Sequence, residues 1–128
     1  SLCELDDPET LKVLAEHTLI LYIRANEKDE QELIKRAEDD PKPLYYRETF
    51  LDEQLAIYLR EKGHGFVAEI DPDDFVRWMF PRLFYSRIPR YQAIVDQYGY
   101  TLGTDELKEV RDEASFLRVV ERVLERQA

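Results

Sequence analysis

Leu19, Ile20, Leu21, Tyr22 and Ile23 form an unbroken apolar run between Thr18 and Arg24. A strand with one wet face alternates apolar and polar side chains. A run without alternation is the pattern of a strand covered on both faces, as in a parallel sheet flanked by helices. Residues 18–24 are therefore read as one strand of such a sheet. A second short apolar segment, 98–102, is read as its partner. Two strands are only part of such a sheet. The expectation is one domain, 1–128, of α/β class: a partial doubly wound parallel sheet of two strands, predominantly helical content, and a helical insertion over 41–80. That is the second half of a fold whose first half lies elsewhere.

The helices announce their own ends. Asp7 followed by Pro8 is a capping acid and then a residue that needs no amide hydrogen, so a helix starts there and ends near His17, with Leu11, Leu14 and Ala15 on its apolar face. Asn26 caps a second helix, 27 to about 38, with Leu33, Ile34 and Ala37 inward; its first turn is acidic and its end basic, as the helix dipole favours. The prolines of 39–43 break the pattern into loop. Phe50, Leu51, Leu55, Tyr58 and Leu59 mark a helix over 48–62 that stops at Gly63 and Gly65. Residues 66–70 read as a connector. Asp71-Pro72 opens another helical stretch, rich in aromatics, in which Pro81 and Pro89 should each start or kink a segment. Gly99 is read as sitting in a turn beside the second strand. Asp112 or Ser115 caps the last helix, where Phe116, Val120, Val123 and Leu124 form one stripe.

Charge and composition exclude several functions. A net charge of −10 argues against nucleic-acid binding, which depends on cations neutralising phosphates. No apolar run approaches a membrane span and no signal-peptide pattern opens the chain. Cys3 is the single cysteine, so no internal disulfide forms, and a cytoplasmic location is the expectation. His17 and His64 have no metal-ligand partner at a trusted spacing. The four glycines, at 63, 65, 99 and 103, spell no phosphate-cradling loop.

Two basic motifs remain: Lys42-Pro43-Leu44 in the proline-rich loop, and Arg87-Ile88-Pro89-Arg90-Tyr91 ahead of the second strand. Their order around two strands resembles the C-terminal half of shikimate kinases and related small P-loop kinases. There a basic-Pro-Leu sequence marks the lid and Arg-x-Pro-Leu-Tyr marks the acceptor site. The likeness covers most of the chain except about 46–80. It implies that Arg87 holds the acceptor's carboxylate, a task suited to the planar guanidinium fork. It implies that Lys42 closes over the nucleotide phosphates, and Arg36 lies one residue away from the position of the arginine that stacks on adenine. ATP and magnesium would be cofactors of the parent protein. Lysine stands in place of the lid arginine, and Arg90 in place of the leucine before Tyr91.

Plainer roles are open to all three residues. Arg87 can pair with an acid, Lys42 can be a solvated loop lysine, and Arg36 can be a helix C-terminal charge. The resemblance places the phosphate loop, the magnesium ligand and the catalytic acid in the missing half, so this chain alone should not transfer phosphate. Arg87 should point into an open cleft. The strand 18–24, short of a neighbour, should pair with a second copy into a homodimer. The competing reading is a helical interaction domain that binds a protein through the aromatic stretch 75–91, and exposed aromatics would favour it.

Overall fold

The computed structural model describes residues 2–5 and 7–127. After a 3-10 turn at Leu2–Glu4 come α1 (Pro8–His17), β1 (Ile20–Arg24), α2 (Glu27–Asp39), α3 (Glu48–Lys62), α4 (Pro72–Tyr98), β2 (Gly99–Gly103) and α5 (Glu113–Gln127). The chain is mostly helical, with a small two-stranded parallel sheet. By its contacts it divides into two compact units, Ser1–Glu30 with Ile88–Ala128, and Gln31–Arg87. The boundaries fall inside α2 and α4. The second unit encloses the insertion expected over 41–80.

In the first unit, β1 and β2 run parallel with Ile20 opposite Gly99 and Arg24 opposite Gly103. β1 begins two residues later than expected, because Thr18 closes α1 instead: its amide and hydroxyl both donate to the Leu14 carbonyl. β2 is displaced by one residue, since Tyr98 remains helical. Gly99 is the first residue of the strand and not part of a turn. A Cβ there would lie 2.4 Å from the Ile20 carbonyl oxygen, so only glycine lets the two backbones approach this closely. With the rest of the sheet missing, the strand is expected to expose Leu19, Ile20, Leu21 and Ile23, and it does so at Leu19 and Ile23 but not at Ile20. Leu19 and Ile23 are 46% and 50% exposed, whereas Ile20 is buried. An apolar run shows that a strand can be covered, and the tertiary structure decides whether it is. The buried centre of this unit is Leu102, Val119 and Val123, with Leu21, Tyr100, Leu107 and Val110 packed around it. The buried stripe of α5 is thus Val119, Val120 and Val123, while Phe116 and Leu124 stay half-buried.

The second unit is built on α3 and the first part of α4. Tyr58, Phe75 and Met79 form its buried centre, and Leu44, Tyr46, Phe50, Leu51, Leu55, Ile70 and Trp78 pack against it. Gly63 ends α3 in the left-handed region, at φ 69°. A 3-10 turn at Val67–Glu69 occupies the expected connector. Pro81 and Pro89 do not divide α4, which runs unbroken from Pro72 to Tyr98. Each interior proline costs about 3 kcal/mol through one lost hydrogen bond and a clash. Phe75, Met79 and Leu83, spaced four apart on one face, are all buried. Each is worth about 1.5–3 kcal/mol, so together they offset a penalty of the same order. Among the described residues no helix is long and apolar enough to cross a membrane.

Candidate functional site

The three residues singled out from the sequence, Arg36, Lys42 and Arg87, all fall in the unit Gln31–Arg87. Two of them meet. Leu33, Arg36 and Ala37 from α2, Asp40, Lys42 and Leu44 from the following loop, and Val76 and Phe80 from α4 line one cleft of about 220 Å³.

Local physics explains how the cleft is assembled. Asn26 and Asp29 exchange bonds at the start of α2: the Asp29 amide donates to Asn26 Oδ1 at 2.8 Å, and the Asn26 amide donates to Asp29 Oδ2 at 3.1 Å. That reciprocal cap fixes the helix phase. Leu33 and Ala37, four residues apart, therefore share a face with Arg36 beside them. On the facing helix Val76 and Phe80 repeat the same spacing. Arg77 joins the two. Its Nε donates to the Glu38 carbonyl at 2.9 Å, and its Nη1 reaches Asp74 Oδ1 at 3.1 Å. The end of α2 is thereby held against the first turns of α4. Arg36 sits in the last turn of α2, where a cation suits the negative end of the helix dipole.

The cleft has apolar walls and a charged mouth. Leu33, Leu44, Val76 and Phe80 are half-buried, whereas Arg36, Asp40 and Lys42 are exposed. Lys42 Nζ lies 3.3 Å from Asp40 Oδ2, with 75% and 70% of the two side chains exposed. A pair so open to water contributes little to stability, so Lys42 can leave Asp40 for another anion at small cost. The volume is below the usual range of whole ligand sites, about 300–1,000 Å³, and suits one flat ring system with its charged group outside. The apolar walls were legible in part as the inner face of α2. The contribution of Val76 and Phe80 was not: Phe80 read only as one member of an aromatic stretch, and nothing in the sequence marked Val76.

Arg87 is placed elsewhere. It does not line this cleft; its Nη2 donates to the Tyr45 carbonyl. The expectation that it stands open toward a cleft is corrected by that bond. The reason is the course of the loop, which passes Tyr45 over α4 within reach of the guanidinium.

The aromatic stretch 75–91 is largely packed. Tyr58 meets Phe75 and Trp78 edge-on, each at 5.2 Å between ring centroids. Phe80 and Phe84 stack at 6.1 Å, and Tyr91 lies 5.3 Å from Tyr22. Tyr85, at 48%, is the exposed aromatic of this stretch. Arg82 covers the Trp78 ring at 4.1 Å while Trp78 Nε1 donates to Glu61 at 2.9 Å, which satisfies the indole.

Sequence reasoning gave the histidines no role. His17 is exposed, and His64 Nδ1 lies 3.1 Å from Glu69 Oε2, which also accepts the Gly65 amide. Glu69 thereby ties together the turn after α3. Among the described residues no group of three or more His, Cys, Asp or Glu is gathered as a metal site. No family model, curated protein or solved structure matches this chain.

Proposed function

We propose that this chain is the C-terminal, lid-bearing part of an ATP-dependent small-molecule kinase of shikimate-kinase type, or of a related ATPase, and that it is inactive alone. The observation that carries this reading is the meeting of Arg36 and Lys42 at the mouth of one apolar cleft. A helix residue and a loop residue, chosen separately from the sequence for the adenine and phosphate ends of a nucleotide, flank the same walls. In this reading Phe80, Val76 and Leu33 take the flat base, Arg36 stacks or pairs beside it, and Lys42 offers its charge to the phosphates. Bound ATP with magnesium supplies the transferable phosphoryl group. No residue of this chain is assigned to the metal. Arg87 serves the acceptor's carboxylate. The parallel pairing of β1 with β2 supports an α/β sheet to which further strands are added. Packing of the aromatics in 75–91 supports a core role for that stretch and leaves a protein-binding alternative little beyond Tyr85.

Titration of the chain with ADP, followed by amide chemical shifts, tests the proposal. We expect weak binding, with Kd roughly millimolar or above, and shifts confined to 33–44 and 76–80. Lys42→Ala and Arg36→Ala should each weaken it. Absence of shifts at those residues defeats the nucleotide assignment. Micromolar ATP affinity defeats the idea that the site is completed by other residues. In isolation β1 is expected to pair with a second copy, and light scattering that finds a monomer at high concentration removes that partner.

A further inference from the structure

We propose that the cavity between Glu38, Tyr58 and Lys62 binds a free amino acid with an apolar side chain: Tyr58 and Lys62 take its carboxylate, and Glu38 takes its ammonium. This cavity shares no residue with the cleft of Arg36 and Lys42, and its assignment is independent of the kinase reading.

Glu38 comes from the end of α2, Tyr58 and Lys62 from the end of α3, and His64 from just beyond it. With Asp74, Arg77 and Trp78 of α4 they line a cavity of about 620 Å³. That lies within the usual range for a small-molecule site, about 300–1,000 Å³. Much of the lining is already engaged. His64 Nδ1 lies 3.1 Å from Glu69 Oε2, Arg77 is bonded to Asp74 and to the Glu38 carbonyl, and Trp78 Nε1 donates to Glu61. What is left is a carboxylate, an ammonium and a hydroxyl. Among the described residues neither the Glu38 carboxylate nor the Lys62 ammonium has an ion-pair partner. Lys62 Nζ lies over the Tyr58 ring, 6.0 Å from its centroid.

Tyr58 carries the assignment. The residue is 3% exposed, yet among the described residues its hydroxyl has no hydrogen-bond partner. The hydroxyl oxygen is not sealed from solvent, so the small open part of this side chain includes it. Buried polar groups normally have a partner, and one left without costs free energy. Burial first, and then the carboxylates of Asp74 and Asp71, raise its pKa above the ordinary 10.0. At neutral pH it therefore keeps its proton and can donate. Lys62 stands four residues on, on the same face of α3. A hydroxyl donor and an ammonium side by side call for a carboxylate as their common acceptor. A ligand with a carboxylate alone would bring unbalanced negative charge beside Glu38. One that carries its own ammonium meets Glu38 with the opposite sign. Tyr58 and Trp78, edge-on at 5.2 Å between centroids, give the lining an apolar side for the rest of the molecule.

The test uses the whole chain, L-leucine as the probe, and the fluorescence of Trp78, the single tryptophan, as the reporter. Leucine should change that fluorescence in a saturable way. N-acetyl-leucine lacks the ammonium and leucinamide lacks the carboxylate. Each should bind at least about tenfold more weakly, as the loss of one charged hydrogen bond implies. Glu38→Ala should narrow the gap between leucine and N-acetyl-leucine, and Lys62→Ala the gap between leucine and leucinamide. Tyr58→Phe should weaken leucine binding while its melting temperature holds or rises, because no hydrogen bond within the chain is lost. The absence of a saturable response to leucine overturns the proposal, as does equal binding of either derivative. A lowered melting temperature in Tyr58→Phe also overturns it, since the hydroxyl would then be structural. ADP should not displace leucine, so this titration and the ADP titration succeed or fail separately.

Discussion

Around the sheet, the buried side chains are aliphatic: Leu102, Val119 and Val123, reached by joining residue 20 to residue 99 across most of the chain. In the unit 31–87 the centre is aromatic and sulfur-bearing, with Tyr58, Phe75 and Met79 ringed by Trp78, Phe50 and Tyr46. The first is held by strand pairing between distant segments. The second is held by two helices and a short loop that are close in sequence. All candidate ligand-binding residues belong to the second, whereas the α/β signature belongs to the first. The feature that suggests the fold class and the features that suggest the chemistry thus belong to different units.

Removing a core side chain from each unit should give the largest effects. Phe75→Ala should cost about 3–5 kcal/mol, the usual loss for a buried phenylalanine. Val123→Ala should cost about 1.5–3 kcal/mol. Urea unfolding followed by Trp78 fluorescence and by far-ultraviolet circular dichroism distinguishes the units. Phe75→Ala should shift the fluorescence midpoint more than the dichroism midpoint, and Val123→Ala the reverse. Coincident shifts in both variants would show one cooperative body and break the comparison.

The two structural glycines sharpen it. At Gly99 an added Cβ meets the Ile20 backbone, which cannot rotate away, so Gly99→Ala should reach the top of the roughly 1–3 kcal/mol range for overpacked sites. At Gly63 nothing lies within 4 Å, and the penalty is the left-handed φ alone, about 1–2 kcal/mol. Thermal melts of both variants should rank Gly99→Ala as the more damaging. The opposite order would mean that strand pairing contributes less than the end of α3.

Acid should act on the sheet-bearing unit. Asp7 is held below its ordinary value of 3.8 by the Thr10 hydroxyl and the Glu9 amide, Asp105 by Lys108, and Asp112 by the Ser115 amide and hydroxyl. Glu106 is held below 4.5 by Arg126 and the Gly103 amide. All four lie in the unit of Ser1–Glu30 and Ile88–Ala128. A carboxyl whose folded value is depressed stabilises the fold fully above its unfolded value, and loses that contribution as pH falls through the folded value. The dichroism midpoint in urea should therefore drop between neutral pH and pH about 3, and Glu106→Gln should reduce that drop. An unchanged pH dependence in Glu106→Gln removes Glu106 from the account. The smallest effect is expected at Lys42. Its removal should change stability by no more than about 0.5 kcal/mol, the usual limit for an exposed site, while weakening ADP binding.

Helix limits could be read from the chain because their causes are local. Asp7-Pro8, Asn26, Asp71-Pro72, Gly63 and Asp112 each act within a few residues, and α1, α3 and the starts of α2 and α4 fall where these signals put them. The parallel strand pair was legible from apolar runs to within two residues. Arg36 and Lys42 were selected only by the resemblance of the flanking motifs to those of small P-loop kinases. Tertiary structure decided everything that depends on what lies opposite: that Leu19 and Ile23 stay half exposed, that Gly99 admits the Ile20 carbonyl, and that Phe75, Met79 and Leu83 carry α4 through two prolines. It decided too that Val76 and Phe80 complete a cleft with Arg36, and that Arg87 holds the Tyr45 carbonyl across forty-two positions of chain. Caps and turns are settled by neighbours in sequence, whereas burial, close approach and the partner of a long cationic side chain are settled by neighbours in space.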